Sequence, residues 1–317
     1  MSVIPKTYPW GDTFRYNSFA RRIREKFGGR IQKLSLDAGF TCPNLDGTLD
    51  TGGCTYCSSK SYVPSYCKSR KNIKEQINEG IEFHRWRYRR AGKYFAYFQA
   101  YSNTYGPVRV LEVKYREALS HPAIIGITIS TRPDCLSPEV LDLLESINEK
   151  SPVFLEVGVE SCYDQTLSLM HRHHNFQQTE KAIKDIASRS IPVTGHIIFG
   201  LPGEIPEQML AEAEILSGLP LNALKLHQLQ ILNKAAIFRQ YSESRELFYF
   251  FSIDRYVEFI VEFLERLNPS ISIERFASET PPRFNVVNSW GNIRMDALNK
   301  KIESVMEVRD TCQGKKI

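Results

Sequence analysis

The chain lacks any apolar run long enough to cross a bilayer. Its longest, such as Ile197-Ile198-Phe199, fall far short of the roughly 20 residues a spanning helix needs. Between Met1 and Gly11 no charged start leads into an apolar core and a small-residue cleavage site. No signal peptide is therefore expected, and the sequence reads as a cytoplasmic protein without a membrane partner. The cysteines are few and odd in number, seven in all. In a reducing compartment they are not a disulfide framework, which leaves metal ligation or buried thiols. The absence of internal repeats and low-complexity tracts excludes solenoids and disordered linkers.

What is present is an ordinary globular composition. The 317 residues are 42% apolar and 24% charged, enough to bury a core without staples. The net charge is only +5, but it is unevenly placed. From Lys60 to Lys93 ten basic residues face three acidic ones, Glu75, Glu79 and Glu82. From Phe14 to Lys33 seven basic residues face Glu25 alone. A basic first third is what a polyanion-binding face needs, although charge runs also form plain solvated helix faces.

Apolar runs predict strands at 31–37, 94–99, 124–130, 153–158, 193–199 and 223–230, with helical patterns between them at 73–90, 108–119, 138–148, 177–188 and 206–216. Ser137-Pro138 supplies a capping hydroxyl and a first-turn proline, and Glu139 suits the positive helix end. Strands alternating with helices imply right-handed βαβ units. Six in series predict an α/β fold, a partial (β/α)6 barrel, with a doubly wound sheet as the alternative. The expected organisation is a basic N-terminal segment (1–30), the barrel (31–231) and a small α+β C-terminal extension (232–317). That extension is helical and aromatic-rich over 238–267, with a short strand at 271–276, a loop marked by Pro281-Pro282 and a terminal helix at 295–308.

Cys42 follows the first predicted strand. A glycine-rich loop from Gly47 to Gly53 leads to Cys54-Thr55-Tyr56-Cys57. Two cysteines three positions apart can direct both thiolates to one centre, and Cys42 completes a set of three. Structural zinc normally takes four ligands. Three cysteines on a four-iron cluster leave one iron open to the amino and carboxylate groups of S-adenosylmethionine. The competing reading is a zinc knuckle with Cys67 as fourth ligand.

In parallel α/β folds, sites gather at the carboxyl ends of strands. Polar residues stand there in succession: Gln99 to Gly106, Ser130-Thr131-Arg132, Glu160-Ser161, Gly200 to Glu204, and Lys225, His227 and Gln230 on the sixth strand. Each has a plain structural reading as a turn residue, a helix entry or a satisfied core histidine. His171, His173 and His174 lack a usual zinc spacing and read as a solvated loop.

The stretch Ser35 to Asn44, Gly52-Gly53-Cys54-Thr55-Tyr56-Cys57 and Tyr97 to Tyr101 resemble the bacterial YhcC/YtqA-type radical SAM proteins. So do Gly158 to Ser161, Gly195 to Glu204 and Lys225-Leu226-His227, and the resemblance runs from Trp10-Gly11 to Cys312-Gln313-Gly314. This family is similar in turn to the radical SAM core of the Elongator catalytic subunit, which acts on wobble uridine in tRNA. The resemblance implies a [4Fe–4S] cluster on Cys42, Cys54 and Cys57, and S-adenosylmethionine cleaved to a 5′-deoxyadenosyl radical. It places Gln99, Ser102 and Asn103 toward the methionine end of that cofactor. Ser130, Arg132 and Glu160 go toward its carboxylate or ribose, and the backbone at Phe199 and Gly200 beside adenine. His227 and Arg275 are the candidates for substrate contact. Two departures qualify the resemblance. No region after residue 290 is long enough for the Elongator acetyltransferase domain, and Gln99-Ala100-Tyr101 replaces the common Gly-Gly-Glu run.

The resulting expectation is a radical enzyme remodelling the C5 side chain of wobble uridine, with tRNA as partner and flavodoxin or ferredoxin as reductant. Arg85, Arg87, Arg89 and Arg90, interleaved with Trp86 and Tyr88, suit phosphate contact and base stacking. The alternatives are a radical enzyme for a small molecule or protein, and a zinc-dependent RNA-binding module.

Overall fold

Seven parallel strands form one sheet in the order β1-β2-β3-β4-β5-β6-β8. They are β1 Ile31–Leu36, β2 Lys93–Phe98, β3 Ile124–Thr131, β4 Val153–Glu160, β5 Val193–Phe199, β6 Ala223–Gln228 and β8 Ser272–Arg275. This computed structural model describes residues 7–58, 63–86, 92–278, 284–287, 290 and 293–317. Every residue of β4 is buried, as expected for a parallel strand covered on both faces.

The helices between the strands pack on the outer face. They are α2 Ile73–His84, α3 Val108–Leu119, α4 Pro138–Asn148, the short α5 Asp164–Leu169, α6 Phe176–Ser188 and α7 Pro206–Ser217, after α1 Phe19–Phe27 at the start of the described chain. Their starts are legible in the sequence. Ser137 Oγ accepts from the Val140 amide at 3.4 Å, and Asn72 and Asn175 each close a capping box. The fold is the expected partial barrel with a C-terminal extension. The extension carries α8 Ile237–Glu243, α9 Ile253–Arg266 and α10 Met295–Val308, and a small antiparallel pair of β7 Ile231–Leu232 with β9 Asn285–Val287.

Three boundaries differ from expectation. The sixth strand ends at Gln228, and Ile231–Leu232 leaves the sheet to pair with β9. The second helix ends at His84; residues 87–91 lie outside those described, as do Pro281 and Pro282. The short strand of the extension joins the barrel sheet, with Ala223 opposite Ser272 and Leu224 opposite Ile273. An unpaired β6 edge would leave backbone donors and acceptors unsatisfied, and β8 satisfies them.

Both ends of the sheet are tied. Ile23, Phe95 and Phe154 form an apolar cluster with Phe19, Phe27, Ile31 and Ile125. The strand residues in it all lie near strand starts, so α1 closes the amino-terminal end of the barrel. The edge strands β1 and β8 do not pair, but Lys33 Nζ on β1 reaches both Glu274 carboxylate oxygens on β8 at 2.8 Å. The open mouth is left at the carboxyl ends of the strands, where the cysteine loop sits. Among the described residues no helix is long and apolar enough to cross a membrane.

Candidate active site

The cysteine loop leaves β1 and is fastened to the segment after α5. The Thr55 amide donates to Met170 O at 3.1 Å, and Asn44 Nδ2 donates to His171 O at 2.7 Å. Cys42, Cys54 and Cys57 are mutual neighbours. Cys57 is exposed as a residue, but the atoms packed around its sulfur, and then the nearby Cys54 and Cys42, push its thiol up to about 12. Burial also raises Cys42, with Arg132 pulling the other way. Cys54 Sγ accepts from Asn44 Nδ2 at 3.3 Å, Arg172 Nη1 at 3.5 Å and Arg132 Nη1 at 3.8 Å. Three donors on one sulfur suit a thiolate, since a neutral thiol is a weak acceptor.

Three thiols in one loop are soft donors of the kind that iron–sulfur clusters take. Among the described residues, no three His, Cys, Asp or Glu side chains converge as ligands of one metal ion. Cys67 is committed elsewhere, with Sγ donating to Ser35 O at 2.8 Å. The zinc knuckle with Cys67 as fourth ligand is therefore not built.

The predicted cofactor residues divide into two groups. Gln99, Ser130 and Glu160 stand at the ends of β2, β3 and β4. Ser35 Oγ donates to Gln99 Oε1 at 2.8 Å, and Ser130 Oγ lies 3.1 Å from Glu156 Oε2. Asn103 is fully buried; its Nδ2 donates to Ser130 O at 3.0 Å, while Oδ1 has no partner. The others are committed within the fold. Ser102 Oγ is 3.1 Å from Thr131 Oγ1. Arg132 is pinned by both Asp134 oxygens at 2.9 Å and donates to Arg172 O at 2.5 Å, so it braces the cysteine loop. The Phe199 ring packs in the core, 4.8 Å from Phe259 and 5.1 Å from Phe263. Gly200 has φ +89°, and a Cβ there would lie 2.7 Å from Tyr249 O, so only glycine lets the two backbones meet.

Inside the barrel is a charged network that sequence reasoning missed. Glu156 accepts from Lys33 Nζ and Lys225 Nζ at 2.6 Å each and from Tyr97 OH at 2.6 Å, and it lies 2.9 Å from His196 Nε2. Lys225 also lies 3.2 Å from Glu274. Burial alone would raise Glu156, yet Lys225 and Lys33 hold it well below the usual carboxylate range. The signal was available: Lys33 with Ser35, Tyr97 with Gln99, Thr194 with His196, and Lys225 with His227 put polar residues at alternate positions of buried strands. His227 stands 5.6 Å, ring to ring, from His196, and its Nε2 has no partner. Burial, then Arg275, His196 and Lys225, hold it well below the ordinary histidine value, so the imidazole is neutral. Arg275 is exposed and faces Lys225 in the β6–β8 register.

Residues 51–216 match the Radical SAM superfamily and residues 221–307 the Radical_SAM C-terminal domain. YtqA of Bacillus subtilis (strain 168) is 32% identical over 97% of this chain and 95% of its own length. YhcC of Escherichia coli (strain K12) is 34% identical over 72% of this chain and 73% of its own. The chain belongs to the radical SAM superfamily. The cofactors of radical SAM proteins are a [4Fe–4S] cluster and S-adenosylmethionine, and these are its cofactors. Among solved structures, the archaeal Elp3 of Methanocaldococcus infernus superposes with a TM-score of 0.67 at 15% identity, over 89% of this chain and 64% of that one. The likeness shows a shared fold, and the chain spans less than two thirds of that relative.

After β5 stands a pair of buried carboxyls. Glu204 bonds to Ser161 Oγ, and Glu212 accepts from the Cys162 amide at 2.7 Å. Each has one oxygen without a partner. Burial pushes Glu204 up to about 7 against the opposing pull of Ser161. The folded state thus holds a proton that the unfolded chain releases near pH 4. Stability is lost as pH rises from the ordinary carboxylate range through about 7. Glu204→Gln, which cannot ionise, is expected to melt close to wild type at pH 5 and above it at pH 8. Thermal unfolding at the two pH values checks this, and equal differences at both would refute it.

Proposed function

We propose that this radical SAM enzyme carries its cluster on Cys42, Cys54 and Cys57 and remodels the C5 side chain of wobble uridine in tRNA. One observation carries the choice of substrate. A 103-residue stretch is 30% identical to the tRNA uridine(34) acetyltransferase of Methanocaldococcus infernus, covering 31% of this chain and 18% of that one. The fold shared with Elp3 of the same organism agrees with it.

The surface supports a polyanionic partner. On α1, Arg22, Arg24 and Lys26 are exposed, as are Lys68, Arg70 and Lys74 around the start of α2. Trp86 is 70% exposed, with the Arg85 guanidinium 5.7 Å from its ring centroid. Arg87, Tyr88, Arg89 and Arg90 lie outside the described residues.

When bound, the cluster supplies the electron that splits S-adenosylmethionine into methionine and a 5′-deoxyadenosyl radical. The chain's own residues bind and orient. Asn103 Oδ1 is free to accept from the cofactor's amino group, with Gln99, Ser130 and Glu160 around it. The α1 plug keeps water from entering through the barrel floor. Neutral His227 offers Nε2 to a polar group of the substrate, and Arg275 offers a cation beside it. A small low-potential protein such as flavodoxin or ferredoxin is the proposed donor.

The test is anaerobic reconstitution, reduction with S-adenosylmethionine and unmodified or partly modified tRNA, and mass analysis of the nucleosides. Turnover of a C5-substituted uridine with matching 5′-deoxyadenosine is expected. Cofactor cleavage that ignores tRNA would instead point to a small-molecule or protein substrate. Binding of tRNA is also expected to weaken steeply with salt, on the order of a thousandfold between 50 and 200 mM for about six phosphate contacts. A flat salt response in a filter-binding titration would remove the basic face from the interface.

A further inference from the structure

Arg172 sits between His171 and His173, in a segment whose histidines read from sequence as a solvated loop. His171 and His173 both have positive φ, 52° and 55°. Such left-handed residues are uncommon outside glycine and here turn the chain sharply on either side of Arg172. His173 Nε2 meets Asp50 of the cysteine loop at 3.0 Å, while the Arg172 side chain goes inward and is buried.

There it reaches the cluster site directly. Nη1 is 3.5 Å from Cys54 Sγ, and Nη2 donates to Gly158 O at 2.8 Å. The space exists because residue 158 has no side chain. A Cβ there would lie 3.0 Å from Arg172 Nη2 and 2.4 Å from Glu160 Oε1. Arg132 also approaches the same sulfur, but its charge is matched by a two-point pair with Asp134. The carboxylate paired with Arg172, Glu160, is 3.7 Å away, a looser match. Arg172 is therefore the less compensated cation at Cys54, in surroundings that water and salt screen poorly.

We propose that Arg172 is a positioning residue for the cluster, its guanidinium fixed against Cys54 Sγ so that the site carries positive charge and the cluster is easier to reduce. A one-electron reduction adds negative charge to the centre, and a fixed cation with an N–H directed at a ligand sulfur favours that state. The inference rests on ligation by Cys42, Cys54 and Cys57, but not on the choice of tRNA as substrate.

The test is a potentiometric titration of reconstituted protein without S-adenosylmethionine, followed by electron paramagnetic resonance of the reduced cluster. In Arg172→Gln, the ratio of reduced to oxidised cluster at the wild-type midpoint is expected to fall about tenfold, a shift of about 59 mV for one electron. Arg172→Lys, which keeps the charge, is expected to recover most of it. Glu160→Gln is expected to move the midpoint the other way, by leaving Arg172 less compensated. Coincident midpoints for wild type and Arg172→Gln would overturn the proposal. If Arg172→Gln retains no iron, Glu160→Gln decides: a raised midpoint supports the role and an unchanged one overturns it. A wild-type protein that binds no cluster would sink the ligation and this inference together. A normal cluster with an unmoved midpoint would sink only the role of Arg172.

Discussion

Replacing Cys54 with alanine is expected to abolish 5′-deoxyadenosine formation, reducing it to the level of a reaction without enzyme. Cys54 is the sulfur on which Asn44, Arg132 and Arg172 converge, so the substitution removes a ligand and one acceptor of each of two buried guanidiniums. A cluster held by two cysteines has lost the protein ligation that leaves a single iron open. Iron content and visible absorbance of anaerobically reconstituted protein should fall with the activity. Cys67→Ala is the matched control. That thiol donates to Ser35 O and bonds to no cluster residue, so its loss should cost roughly 1 kcal/mol of stability and no iron. Loss of metal in the Cys67 variant as well as the Cys54 variant, with zinc in place of iron in the wild type, would restore the zinc reading and end the radical one.

The second large effect is expected from Glu156→Gln. This carboxylate is fully buried and satisfies Lys33, Lys225 and Tyr97, with His196 beside it. Neutralising it leaves two lysines to share Glu274, which meets Lys33 at 2.8 Å and Lys225 at 3.2 Å. Breaking a buried pair by removing one partner costs about 3–5 kcal/mol, because a charge stays behind without compensation. For a chain of this size that is a fall in Tm on the order of 10 °C. The pH dependence has a definite sign. The folded carboxyl is held well below its ordinary value by Lys225 and Lys33 against the effect of burial. Its contribution is present above the ordinary carboxylate range, near pH 4, and is lost as pH falls below that. Glu156→Gln should therefore flatten the acid limb of the stability profile. Adding Lys225→Met to Glu156→Gln should cost less than the sum of the two single changes. Additive losses in thermal unfolding would mean that the two side chains do not act as a pair.

Much of the architecture was legible before any coordinates. The βαβ alternation, the caps at Ser137 and Asn175 and the three-cysteine loop are local signals, set by residues within a few positions of one another. The seventh strand was read as a strand but not as part of the barrel, because its partner β6 lies more than forty residues earlier. The site residues split the same way. Gln99, Ser130 and Glu160 could be placed by the rule that sites lie at strand ends. Arg132 was picked out at a strand end as a cofactor contact and Arg172 was not picked out at all; the approach of both to Cys54 was not legible, because that sulfur lies far along the chain from each. Phe199 was expected to serve through its backbone, and its ring turned out to be core.

By itself the sequence determined the class of chemistry: the motifs around the three-cysteine loop pointed to a radical SAM protein with a cluster as its centre, and periodicity set the parallel sheet. Only the tertiary structure decided what surrounds that centre. The pairing of Lys33 on β1 with Glu274 on β8, the four partners of Glu156 and the two guanidiniums on Cys54 join residues far apart along the chain. Charge and hydrogen bonding act through space at a few ångströms, whereas sequence pattern records only neighbours along the backbone, so the electrostatics of the site became visible only once the sheet had curled.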